Sequence, residues 1–368
     1  MKMKSNIQIL WRSSLVLLSL GFLIETAHAQ IGSGWAAWSG MTRTISTESN
    51  DVFYYFDYNN TSDSTGYATY TRDSSGVETF TLLSSHSNRI EADQTHPRVA
   101  TGFYQWEGYV KILAVDASES VVQWKGTTNN NATDIMIRAH PDDNGSIWDG
   151  DSTELIGNLG IGSGGAWTRV NLIFDYDNNR IYVFINGQFK EAKNGGGQAT
   201  HWIQYGCYGS HSGKEQIQWK GVKFLQGLTG MYKVQNRASG LVLNNQGSTT
   251  SGTAITQWSS STTSDNLNWT FARTSGGNYQ LKSVKSGLDA VVQGASTAAG
   301  GKIVQWSFGS SGNDLWRPVI NSNGSYTFIN LHSGLALEDP GSSTSTSTQM
   351  DQWTSNGGAN QQWNLITQ

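Results

Sequence analysis

Three short stretches carry residue types suited to acid–base chemistry on a charged substrate. In "NRIEAD" (88–93), Arg89, Glu91 and Asp93 share one parity. In "VVQWKG" (121–126), Gln123 and Lys125 do; in "HWIQYGCYG" (201–209), Gln204, Gly206 and Tyr208 do. Side chains alternate about a strand, so each set leaves one face of its strand. The combined inventory of guanidinium, amide, ammonium and phenol is what β-elimination of a uronate needs. Arg89 and Gln123 could neutralise the carboxylate, so that the C5 proton would become acidic and the enolate-like state would be stabilised. A base removes that proton and an acid protonates the leaving O4, the roles open to Lys125 and Tyr208. A free lysine titrates near ~10.4, so either Lys125 is the base or Tyr208 is base and acid in turn beside a charged Lys125.

Other chemistries leave weaker traces. Glu91 and Asp93 are one alternation apart, as a glycosidase pair could be, but no further Glu follows in "EADQTHP". His86 lies beside the first stretch and is a further candidate for substrate contact; His96, His140, His201 and His211 are spare. There is no G-x-S-x-G, HExxH, P-loop or cysteine-based metal set. The chemistry requires no cofactor. A structural Ca²⁺ is an expectation from "HPDDNGSIWDGD" (140–151), which is rich in oxygen ligands.

The elements that must hold these residues are strands. About 31–228 reads as strand after strand, including "YVKILAVD", "TRVNLIFDYD" and "RIYVFING", with turn signals between and no useful helical period. This predicts an all-β jelly roll, a concanavalin-like sandwich, over 30–228. "QWKG" recurs at 218–221, where Gln218 and Lys220 are expected to be structural or sheet-edge residues. The low charged fraction of 14% and the 15 Trp suit a carbohydrate-active β protein, and the net charge of −4 argues against nucleic acid as partner. Residues 1–29 read as a signal peptide: a basic start, the apolar "SSLVLLSLGFLI", and "AHA" before Gln30. The mature chain is expected to be secreted, free of membrane and monomeric. Cys207 is the only cysteine and reads as a small buried residue.

The remainder, 229–368, repeats. "SGLVLN", "SGLDAV" and "SGLALE" place Gly240, Gly287 and Gly334 at intervals of 47 residues. "ITQW", "IVQW" and "MDQW" end at Trp258, Trp306 and Trp353; "NLNW", "NDLW" and "NQQW" end at Trp269, Trp316 and Trp363. Three such units predict a closed three-fold β structure around a shared core. This part resembles the ricin-B-type β-trefoil, a carbohydrate-binding module. Its Q-x-W signature is intact only at Gln361–Trp363. The resemblance implies sugar contacts from Asn244 and Glu338, with Trp258 and Trp353 as stacking rings or as core. Val291 takes the equivalent place in the second repeat and speaks against a pocket there. The "GLTG" joint at 227–230 suggests a separable targeting module.

The three opening stretches are similar to the signature strands of jelly-roll polysaccharide lyases of the alginate lyase type. Asp93 stands where the second Arg of the first motif would be. Lys125 replaces the His of the second. The third keeps Gly206 and Tyr208. A Q-x-K arrangement is similar to ulvan lyases, which implies ulvan, a sulfated rhamnose–uronate polymer, as substrate. Glucuronan and alginate remain alternatives, as does a non-catalytic glycan-binding lectin.

Overall fold

The computed structural model describes residues 31–368 apart from 50–51, 58–61, 65–66, 84–86, 97, 127–132, 198–199, 262 and 310. The leader segment and His86 lie outside the described residues. No described helix is long and apolar enough to cross a membrane. The fold is all-β, as alternation implied.

Two antiparallel sheets face each other. The front sheet runs, edge to edge, Thr153–Ile156, Ser146–Asp149, Thr133–His140, Glu119–Gly126, His201–Tyr208, Ser87–His96, Thr42–Ser49, Val52–Asp57. Thus the three motif strands are neighbours at its centre, although they are far apart along the chain. The back sheet is centred on Thr168–Asp175, Phe103–Ala114, Glu215–Gly227 and Glu78–Leu82. Between the sheets lies a core that includes Trp106, Val122, Trp124, Tyr205, Cys207 and Trp219.

The two "QWKG" copies do the same job from opposite sides. Trp124 and Trp219 are both buried in this core, so Gln123 and Lys125 leave the front sheet outward while Gln218 and Lys220 leave the back sheet outward. The second copy is not at a sheet edge: Glu215–Gly227 pairs with Glu78–Leu82 on one side and Phe103–Ala114 on the other.

From Met231 on, three repeats close on themselves. Trp269, Trp316 and Trp363 are fully buried, and their indole N–H groups donate to the carbonyls of Leu243, Ala290 and Leu337, each 26 residues back. The buried Gln257, Gln305 and Gln352 link the repeats cyclically, donating to the carbonyls of Ser343, Ser248 and Ser296. Gly240, Gly287 and Gly334 sit at φ of 71°, 70° and 73°, where a side chain is disfavoured. Trp258, Trp306 and Trp353 are not core: they are 38%, 50% and 44% exposed, because each ends a short hairpin strand beyond the buried Gln.

The trefoil is docked on the back of the sandwich through an apolar core of its own. Trp35, Phe103, Phe184 and Leu225 from the first part are buried with Tyr232, Phe271, Tyr279 and Tyr326 from the second. Arg273 and Asp177 form an ion pair across this junction, and Tyr232 Oη donates to Gly34 O at 3.0 Å. Gly32 lies against Gly324 so closely that an added Cβ would meet its carbonyl oxygen at 2.0 Å. Removing the trefoil would therefore bare aromatic and aliphatic side chains that are buried in the intact chain, which bears on the expectation of a separable module.

Candidate functional site

Register brings the three motifs into rows on the outer face of the front sheet. Lys125 is opposite Trp202; Gln204 is opposite Gln123 and Asp93; Gly206 is opposite Glu91; Tyr208 is opposite Arg89. Gly206 is demanded by close approach. A Cβ there would meet Ile90 O at 2.3 Å and Glu91 Cα at 2.7 Å. The strand bulges between Tyr205 and Tyr208 at this point, which re-aims Tyr208.

Glu91 is the hub. It is fully buried, accepts a hydrogen bond from Gln123 Nε2 at 2.8 Å, and lies 3.2 Å from Arg89 Nε. Burial pushes its carboxyl up, opposed first by Arg89, then Lys125 and the Gln123 bond. Asp93 is likewise raised by burial, opposed by the Gln204 hydrogen bond and by Arg98, Lys125 and Arg89. Arg89 in turn lies over the Tyr208 ring, 4.2 Å from its centroid. Lys125, expected from its type to be exposed, is only 9% exposed. Along the shared neighbour strand, Lys125 and Tyr208 are six residues apart, about 20 Å between Cα atoms at the usual rise. The Glu91–Gln123 pair lies between them.

Sequence reasoning missed two members of this face. Trp202 shares the parity of Gln204 and is 4% exposed, with Arg98 4.1 Å above its ring. The parity was the available signal for Trp202; Arg98 lies beyond its strand and had none. Of the spare histidines, His201 is buried against Tyr176 with Nδ1 2.8 Å from Asp134 Oδ2, and His140 stacks on Trp148. The stretch expected to hold Ca²⁺ has part of its carboxylates already paired. Asp149 pairs with Lys193 and Asp151 with Arg138, and no three His, Cys, Asp or Glu side chains converge among the described residues.

In the trefoil, Asn244, Val291 and Glu338 take equivalent hairpin positions, opposite Thr256, Val304 and Asp351. Asn244 Oδ1 accepts from Gln246 N and Asn266 Nδ2, both at 2.7 Å, and Glu338 accepts from Gln361 Nε2. The second repeat, set aside because of Val291, instead holds a cavity of about 580 Å³ lined by Val291, Trp306, Phe308, Asn313 and Asp314. Phe308 is 54% exposed, and Asp314 Oδ1 is buried without a hydrogen-bond partner among the described residues. Residues 230–363 match the ricin-type beta-trefoil lectin domain. This part of the chain presents ring, carboxylate and amide groups around the cavity.

Three further likenesses extend the picture. Over 144 residues the chain is 30% identical to a citrate-binding protein from Hevea brasiliensis; the match covers 38% of this chain and about half, 54%, of that relative. A designed three-fold symmetric protein is 36% identical over 38% of this chain and 99% of its own, with a TM-score of 0.37. An alginate lyase is 12% identical over 50% of this chain and 89% of its own, with a TM-score of 0.40.

Proposed function

We propose that the chain is an exported lyase that cleaves a uronate-containing anionic polysaccharide by β-elimination, with ulvan as the preferred substrate and glucuronan and alginate as the other candidates. The observation that carries this reading is the Glu91-centred network on the front sheet. It holds Arg89 and Gln123 in place and has Tyr208 stacked on Arg89 at one end and Lys125 at the other. In this reading Arg89 and Gln123 meet the substrate carboxylate, while Glu91 positions them. Lys125 or Tyr208 takes the C5 proton. As the electron pair shifts to form the C4–C5 double bond, the C4–O4 bond breaks and Tyr208 gives its proton to O4. Gln204 orients Asp93 on the same face. A hydrolase built on Glu91 and Asp93 is disfavoured because the Glu91 carboxylate is already engaged by Arg89 and Gln123.

The lectin domain then binds neutral or acidic glycan through Trp306 and its cavity, with Asn244, Trp258, Glu338 and Trp353 as the sites of the other two repeats. The relative named as citrate-binding favours a second reading, in which the same cations capture a carboxylate without chemistry. Incubation with ulvan, glucuronan and alginate separates the two. Only elimination creates an unsaturated uronate and its ultraviolet absorbance. No absorbance rise on any of the three, with carboxylate binding retained, would leave the binding reading standing.

A further inference from the structure

The back sheet carries a second cluster that the front-face chemistry does not use. Tyr109 and Lys111 project outward from Phe103–Ala114, since Val110 and Ile112 between and beyond them are buried in the core. Lys220 projects beside them from the second "QWKG". Gly221, at φ 60°, falls within a register shift between Lys220 and Lys223, a bulge that re-aims the lysine. Both ammonium groups converge on Trp167, Lys111 Nζ at 5.0 Å and Lys220 Nζ at 4.6 Å from the ring centroid. Lys111 also donates to the carbonyl of Ser163 at 3.1 Å. Neither lysine has a carboxylate within ion-pair distance among the described residues. The nearby Glu107 is already engaged by Arg169 and Lys223. Two like charges drawn to one partly exposed ring lack a counter-anion.

We propose that this patch is a second binding site for the acidic polysaccharide of the preceding reading, on which it rests for its choice of ligand. The chemistry it recognises is a pyranose ring against Trp167 bearing a sulfate or carboxylate between Lys111 and Lys220. A nucleic acid is the less fitting polyanion for a chain of net charge −4.

The test is retardation of the full chain in native gels containing ulvan, alginate or a neutral galactan, at low and high salt, in the Tyr208→Phe background and in wild type. Trp167→Ala, and Lys111→Ala with Lys220→Ala, should each weaken retardation by ulvan about ten-fold. Unfolding temperature and turnover of short oligouronates should stay unchanged. Retardation by alginate as strong as by ulvan assigns the anion to carboxylate; retardation by ulvan alone assigns it to sulfate. Wild-type retardation of both variants, equal loss on galactan, or tighter binding of single-stranded DNA would overturn the proposal. If no polymer is cleaved but Trp167→Ala still loses retardation, the lyase reading falls and the patch stands; cleavage with unaltered retardation is the reverse.

Discussion

Tyr208 and Lys125 are the residues on which the proposed chemistry turns, and the geometry makes them distinguishable. Tyr208→Phe removes one hydroxyl from a ring held by Arg89. Elimination should fall by about 10²–10⁴-fold, the usual worth of a positioned acid or base. At Lys125 a charge-preserving change is the informative one. If Lys125 removes the proton, Lys125→Arg should be as inactive as Lys125→Ala, because a guanidinium stays protonated. If it acts only as a cation beside Glu91, Lys125→Arg should keep most of the rate and Lys125→Ala should not. Initial rates on one uronate polymer decide between the assignments. A Tyr208→Phe protein with the wild-type rate would remove Tyr208 from the mechanism.

At the scale of elements, the strand His201–Tyr208 is held by what it lacks as much as by what it carries. Gly206→Ala places a methyl against Ile90 O and should destabilise by about 1–3 kcal/mol while displacing Tyr208, so activity should fall more than stability accounts for. The following turn meets Glu119, whose carboxyl burial pushes up to about 7, opposed by His211, Cys207 and Arg138. A raised carboxyl holds its proton in the folded state and releases it on unfolding. Its contribution is therefore fully present below about 4.5 and is lost as pH rises through about 7. Glu119→Gln should accordingly raise the unfolding temperature at pH 8 relative to wild type and change it little at pH 4. Thermal melts across that range check the sign. In the trefoil hairpins, Trp306→Ala should abolish glycan binding at the second-repeat cavity with an unaltered melt. Trp316→Ala, which empties a fully buried site, should cost about 3–5 kcal/mol.

The whole molecule is two architectures sharing one interface. Because Phe103, Phe184 and Leu225 are buried against Tyr232, Tyr279 and Tyr326, a chain ending after Leu228 should aggregate or melt well below the full chain, measured by light scattering and thermal unfolding. A soluble, fully active fragment with the parent's melting temperature would show that this core is dispensable. The docking also leaves the front-sheet site and the Trp167 patch on opposite sheets of the sandwich. A long polymer held at one would have to wrap the sandwich to meet the other.

Local pattern was enough for much of this. Period-two alternation and turn residues made the chain legible as all-β, because strand faces are set by the alternation of neighbouring side chains. The 47-residue spacing made three repeats legible, because each unit must bury its face against the next. Parity also placed Arg89, Glu91, Gln123, Lys125, Gln204 and Tyr208 on the outward face of their strands. Solvent exposure and long-range register lie outside local pattern. Trp258 and Trp269 are both recurrent tryptophans, yet one is exposed and the other buried, since closure of the trefoil decides which ring faces inward. Val291 spoke against a pocket that Trp306, Phe308 and Asp314 supply from elsewhere in the repeat. One tetrapeptide, used twice, faces opposite sides of the molecule because its tryptophan must enter the same core from whichever sheet carries it.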